Sequence, residues 1–124
     1  MLNIPQFVSD FVGLWNEPDA TRRRESLEML WAPGGTHFSS GREARGYDAL
    51  FDRISGSHER SVARGGNRFA ACDNAEQLKR VLKFNWRMLD GAGNTAAIGL
   101  EVIELDELGR IAAELQFIEP GPIW

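Results

Sequence analysis

The stretch that most constrains this chain runs over residues 96–120, where apolar, small and acidic residues alternate. Alternation at every second position sorts side chains to opposite faces of an extended backbone. It predicts two strands, 97–105 and 110–118, joined by Asp106-Glu107-Leu108-Gly109. One face carries Ile98, Leu100 and Val102 with Ala113, Leu115 and Phe117, and is wholly apolar. The other carries Ala97, Gly99, Glu101, Ile103 and Leu105 with Ala112, Glu114, Gln116 and Ile118. We read the mixed face as the floor of a small-molecule pocket. A regular hairpin would set Glu101 directly opposite Glu114, and two carboxyls at that distance in a water-poor cavity titrate as a pair, one holding its proton to higher pH. In the opposite orientation both glutamates would be ordinary surface charges.

Upstream the period changes from two to 3.6. Ile4, Phe7, Val8, Phe11, Val12, Leu14 and Trp15 make one broad apolar stripe behind Pro5, which suits a first helical turn. Asp19 is the expected N-cap of a second helix reaching about Trp31, with Arg22-Arg23-Arg24 on its solvated side. Pro33-Gly34-Gly35 should end it. A short strand over 36–40 then points His37 and Ser39 one way and Phe38 the other, and residues 41–46 form a polar turn. A third helix is expected over 47–57, buried through Tyr47, Leu50, Phe51 and Ile54. Strands over 68–72 and 77–89 follow, with Leu82, Phe84, Trp86 and Met88 sharing a face, before a turn at 90–94. Three helices followed by an antiparallel meander read as α+β.

The 124 residues suffice for one domain, 1–124, and 43% hydrophobic residues with four Trp suffice for a core. A net charge of −4 argues against nucleic acid as a partner. The lone Cys72 excludes an intrachain disulfide, and His37 and His58 are too few for zinc spacing, so no metal and no cofactor is expected. No Gly spacing suits a phosphate cradle. No basic and apolar leader opens the chain and no apolar run could cross a bilayer, so the expectation is a cytoplasmic protein without membrane partners.

The succession Phe11-Val12-Gly13-Leu14-Trp15-Asn16, Leu30-Trp31-Ala32-Pro33, Arg45-Gly46-Tyr47-Asp48-Ala49-Leu50, Phe84-Asn85-Trp86 and 99–106 with Gly109-Arg110-Ile111 resembles the nuclear transport factor 2-like superfamily, SnoaL-like branch. The resemblance implies a cone: three helices on a curved antiparallel sheet with an internal pocket, and a homodimer formed through the outer sheet face. Relatives include isomerases, cyclases, dehydratases and hydrolases that need no cofactor, and others with no catalytic role, so fold alone does not give function. On the steroid isomerase pattern, the general base falls on Ser39, the oxyanion-hole tyrosine on Phe11 and the protonated acid on Glu101. Ser39 and Phe11 lack the groups that this mechanism uses.

The candidate catalytic residues are therefore Glu101, Glu114 and His37, with Glu101 first as acid or base. Phe11, Trp15, Trp31, Ser39, His58, Trp86, Gln116 and Ile118 are the candidate ligand-binding residues, for a small apolar ligand. Three of these have plainer readings: His37 as an edge-strand histidine, His58 as a cation at a helix C-terminus, and any one tryptophan as core. A ligand carrier or sensor, or a dimeric interaction module, is the alternative to an enzyme.

Overall fold

The computed structural model describes residues 2–119; Met1 and residues 120–124, including Pro120 at the end of the terminal alternation, lie outside the described residues. Helix α1, Ile4–Asn16, starts where the Asn3 side chain accepts the Gln6 N–H at 3.1 Å, and it buries Phe7, Val8, Phe11, Val12, Leu14 and Trp15. Asp19 caps α2, Ala20–Leu30, by accepting the Arg22 N–H at 3.0 Å. Arg23 departs from the expected solvated run. It is buried, donating to the Glu17 carbonyl at 2.5 Å and to Ser55 Oγ at 3.2 Å, and its guanidinium lies over the Phe51 ring. Stacking plus two hydrogen bonds removes the cost of burying that charge.

Trp31 is already extended, so α2 ends one residue earlier than expected and strand β1 spans Trp31–Ser39. Pro33-Gly34-Gly35 does not form a turn. It lies within β1, where the pairing with the neighbouring strand shifts between Trp31 and Thr36. The expected polar turn at 41–46 is instead strand β2, Arg42–Arg45, entered through Gly41 at φ +74°. Helix α3, Gly46–Ser57, runs straight into a π-helical turn, His58–Ala63. Strands β3 (Arg68–Ala71), β4 (Glu76–Leu78), β5 (Val81–Leu89), β6 (Thr95–Leu105) and β7 (Ile111–Glu119) follow. The single strand expected over 77–89 is a tight hairpin, because Leu78 pairs with Val81 across Lys79 at φ +55°. A lysine in that conformation gives no turn signal in the sequence.

The described residues thus form three α-helices on one curved sheet, an α+β architecture. The strand order is β2-β1-β7-β6-β5-β3, with β4 paired to β5. The sheet is mixed rather than wholly antiparallel, since β1 runs parallel to β7. Helix α3 packs on β1 and β2, and α1 on β3.

The mixed face of the β6–β7 hairpin looks inward: Glu101, Ile103 and Glu114 are fully buried, while Ile98, Leu115 and Phe117 are 40%, 38% and 50% exposed. The register differs from a regular hairpin. Asp106 N–H bonds the Arg110 carbonyl at 2.8 Å, with Gly109 at φ +80°, so the turn is one residue longer than expected. A bulge then leaves Ala112 unpaired between Leu105↔Ile111 and Glu104↔Ala113. Ile111 takes the inward position expected for Ala112. The two shifts add, so Glu101 pairs with Gln116 and Ile103 with Glu114. A slip of two preserves the face but sets the two glutamates diagonally instead of opposite.

Candidate functional site

The inward face of the sheet changes character row by row along β5, β6 and β7. Met88 pairs with Ala97, and Trp86 with Gly99, which pairs with Ile118. These rows, apart from Gly99, line a cavity of about 390 Å³ under α1 and α3. The next row is Phe84, Glu101 and Gln116; the one after is Leu82, Ile103, Glu114 and His37. That last row belongs to the core, where Phe84 meets Phe11 edge-on and Phe11 stacks on Trp31. Row three is the boundary, with Gln116 in the cavity wall and Glu101 behind it.

Five side chains form a buried ring there, joined by four hydrogen bonds and completed by the neighbouring carboxyls of Glu101 and Glu114. Arg53 Nε–H donates to His37 Nε2 at 3.2 Å, and His37 Nδ1 lies 2.5 Å from Glu114 Oε1. Gln116 Nε2–H donates to Glu101 Oε2 at 3.0 Å, and Arg53 Nη2–H to Gln116 Oε1 at 3.4 Å. The carboxyls of Glu101 and Glu114 are near enough for each to shift the other's pKa, and Glu101 Oε1 and Glu114 Oε2 are both buried without a hydrogen-bond partner. The Trp86 indole N–H adds a bond to Glu101 Oε2 at 2.7 Å.

This geometry fixes the protons. Arg53 can only donate, so His37 Nε2 must accept and its proton sits on Nδ1. The contact with Glu114 is therefore a hydrogen bond from a neutral imidazole, although its length would suit an ion pair. Burial, with the facing charge of Arg53, pushes His37 down to about 4, in the same sense. Two carboxylates have no donor between them, so one must be protonated. Burial raises both acids. Glu101 rises further because the Glu114 charge adds to its burial, whereas the neighbouring Glu101 carboxyl and the Arg53 charge restrain Glu114 at about 7. Glu101 is the acid and Glu114 the carboxylate. With Arg53 charged, the ring is neutral as a whole, as a buried cluster should be.

Gly99 makes this arrangement possible. A Cβ there would lie 2.0 Å from the Trp86 ring, so only glycine lets that indole lie across β6 and reach Glu101.

The structure brings Glu101, Glu114 and His37 together but lines the cavity with none of them; they stand behind Arg53, Gln116 and Trp86, which do line it. Phe11, Trp15, Ser39 and Ile118 are also in the wall. Trp31 and His58 are not. Trp31 is core, its indole N–H reaching the Thr36 carbonyl at 3.4 Å. His58 is buried, and desolvation with the nearby Arg23 charge lowers its pKa, so a C-terminal cation is replaced by a neutral ring. Sequence reasoning missed Arg42, Arg53, Arg60, Ser57 and Ser61, all wall residues. The signal existed: Arg53, Ser57, Arg60 and Ser61 recur at helical spacing next to the apolar stripe of α3. No group of His, Cys, Asp and Glu among the described residues could hold a metal ion.

No family model and no curated protein matches the sequence. Solved structures do. A SnoaL-like protein from Agrobacterium tumefaciens, proposed to be an isomerase, superposes at a TM-score of 0.84 with 23% identity, over 92% of this chain and 95% of that one. A Sinorhizobium meliloti protein proposed to be a polyketide cyclase gives 0.69 at 12% identity, over 90% and 94%. A SnoaL-like protein of unknown function from Burkholderia thailandensis gives 0.68 at 15% identity, over 95% and 98%. At these identities the likeness is one of architecture, and it agrees with the helices, sheet order and enclosed face described above. The chain has the nuclear transport factor 2-like fold, in the form shared by SnoaL-like proteins.

Proposed function

We propose that this chain is a single-domain small-molecule-binding protein whose ligand occupies the cavity between α1, α3 and the sheet. One observation carries the reading: the polar wall groups Arg53 and Gln116 are held from behind by a charge-neutral ring. Preorganised polar groups on a mostly apolar wall are what a ligand site needs, because little ordering remains to be done on binding. Glu101, Glu114 and His37 act in this reading as positioning residues. They orient Arg53 and Gln116 and do not touch the ligand.

A second reading is catalytic. It is favoured by one feature, an acid held protonated one side chain behind the wall. A cofactor-independent isomerase, cyclase, dehydratase or hydrolase could use such a proton if Gln116 moved aside, with Glu101 as acid. Among the described residues no Asp, Glu, His, Cys, Lys or Tyr lines the wall, which favours the carrier or sensor reading.

Filling the cavity tests both. Ala97→Phe places a ring among wall residues Trp86, Met88 and Ile118. Ligands found by a thermal-shift screen of the wild type should lose at least tenfold in affinity, with the unliganded Tm within a few degrees. Unchanged affinity in Ala97→Phe would remove the cavity as the site.

A further inference from the structure

Among the described residues three arginines line the cavity and no Asp or Glu does; the carboxylate that balances Arg53 stands behind the wall, across His37. Arg42 comes from the start of β2, Arg53 from α3 and Arg60 from the π-helical turn, and all three line the wall. Among the described residues Arg24, Arg64, Arg80 and Arg110 each pair with a carboxylate; these three, like Arg22, Arg23, Arg45, Arg68 and Arg87, do not. Arg53 and Arg60 share one helical face, and Arg60 folds back over Gly56, where an added Cβ would come within 3.2 Å of its Nη1. Burial and the charges of Arg42 and Arg60 lower the Arg53 pKa to about 10, so it stays charged at neutral pH while its neighbours repel it.

Two donors in the wall are also unanswered. Arg53 spends Nε and Nη2 on the ring, and its Nη1 is buried without a partner. Trp15 is 5% exposed, and its indole N–H has none either. Both residues line the cavity, and the Arg53 guanidinium lies 5.5 Å over the Trp15 ring. Opposite them the wall is apolar, through Phe69, Trp86 and Met88.

We propose that the cavity takes an amphipathic organic acid, its carboxylate on Arg53 between Arg42 and Arg60 and its apolar body between Trp15, Phe69 and Trp86. This rests on the cavity being the ligand site. The carboxylate answers the free Arg53 edge in a charge-assisted hydrogen bond and relieves the crowding of like charges. A single charge suffices, because only Arg53 is buried from solvent on its guanidinium edge; Arg42 and Arg60 are exposed and add field more than contact.

Calorimetric titration with 2-naphthoate, methyl 2-naphthoate and 2-naphthyl phosphate tests it. The wild type should bind the acid at least tenfold more tightly than the ester. The Arg42→Gln/Arg60→Gln double variant, which alters only exposed side chains, should lose at least fivefold for the acid and nothing for the ester. Equal binding of acid and ester, abolished for both by Ala97→Phe, would overturn the anion while leaving the cavity reading standing. Tightest binding of the phosphate would overturn the carboxylate. No binding by any of the three would overturn the proposal, and binding undisturbed by Ala97→Phe would overturn the cavity reading with it.

Discussion

Glu101 serves as the hub of the buried ring only while it keeps its proton. Its folded pKa lies well above that of an ordinary glutamate, so the folded state holds a proton that the unfolded chain releases above about 4.5. Stability from this group is complete below that pH and is lost as pH rises through the folded value. Glu114, at about 7, acts in the same direction. His37 acts in the opposite one: its folded pKa of about 4 lies below the ordinary 6.5, so its contribution is present above 6.5 and is lost as pH falls toward 4. Above pH 7, with His37 essentially neutral in both states, the raised pKa of Glu101 dominates. Denaturant unfolding of the wild type should lose stability as pH rises there, by no more than about 1.4 kcal/mol per pH unit for each proton that the folded pair retains. Glu101→Gln keeps an acceptor for Trp86 and Gln116 and an N–H donor for Glu114, so it should fold within about 1 kcal/mol of the wild type at pH 7 and lose that slope. A slope as steep as the wild type's would assign the proton elsewhere. The sequence indicated that the two glutamates would share a proton. That Arg53 sits on the other side of His37 was not legible, because the two meet only when α3 packs on β1.

At the scale of elements, β6 carries the site through what it lacks. Gly99 leaves room for Trp86, and Trp86 in turn roofs Glu101. Gly99→Ala puts a methyl into the indole and must either push Trp86 off Glu101 or bend the strand. We expect a loss of about 3 kcal/mol, from overpacking together with a buried N–H left unpaired. A shift in tryptophan emission should accompany the lower Tm; an unshifted spectrum would mean that the strand, not the indole, gives way. The two faces of this strand were legible from alternation, since its period of two survives any even slip in register, but alternation alone does not say which face turns inward. The register was not, because a longer turn and the bulge at Ala112 add two residues that no periodicity marks. The β4–β5 hairpin was missed for a similar reason: Lys79 adopts a conformation that the sequence signals only through glycine, asparagine or aspartate.

At the scale of the whole molecule, the outward face of the sheet leaves Ile98, Leu115 and Phe117 half exposed on neighbouring strands. A second copy of the chain is the occupant expected for that face. Sedimentation should show a dimer for the wild type and a monomer for Phe117→Glu, with ligand binding in the cavity unchanged; a wild-type monomer would leave the face without that role. The sequence by itself determined the helices, the cap at Asp19, the α+β class and the two faces of the terminal hairpin. These are local properties, set by periodicity and by side chains reaching a backbone a few residues away. Only the tertiary structure decided which groups touch the cavity. Glu101, His37 and Arg53 come from β6, β1 and α3, and a parallel β1–β7 pair, a bulge and a helix docked on the sheet edge bring them into one ring. Distances between such elements follow from packing the whole core, which no short window of sequence encodes.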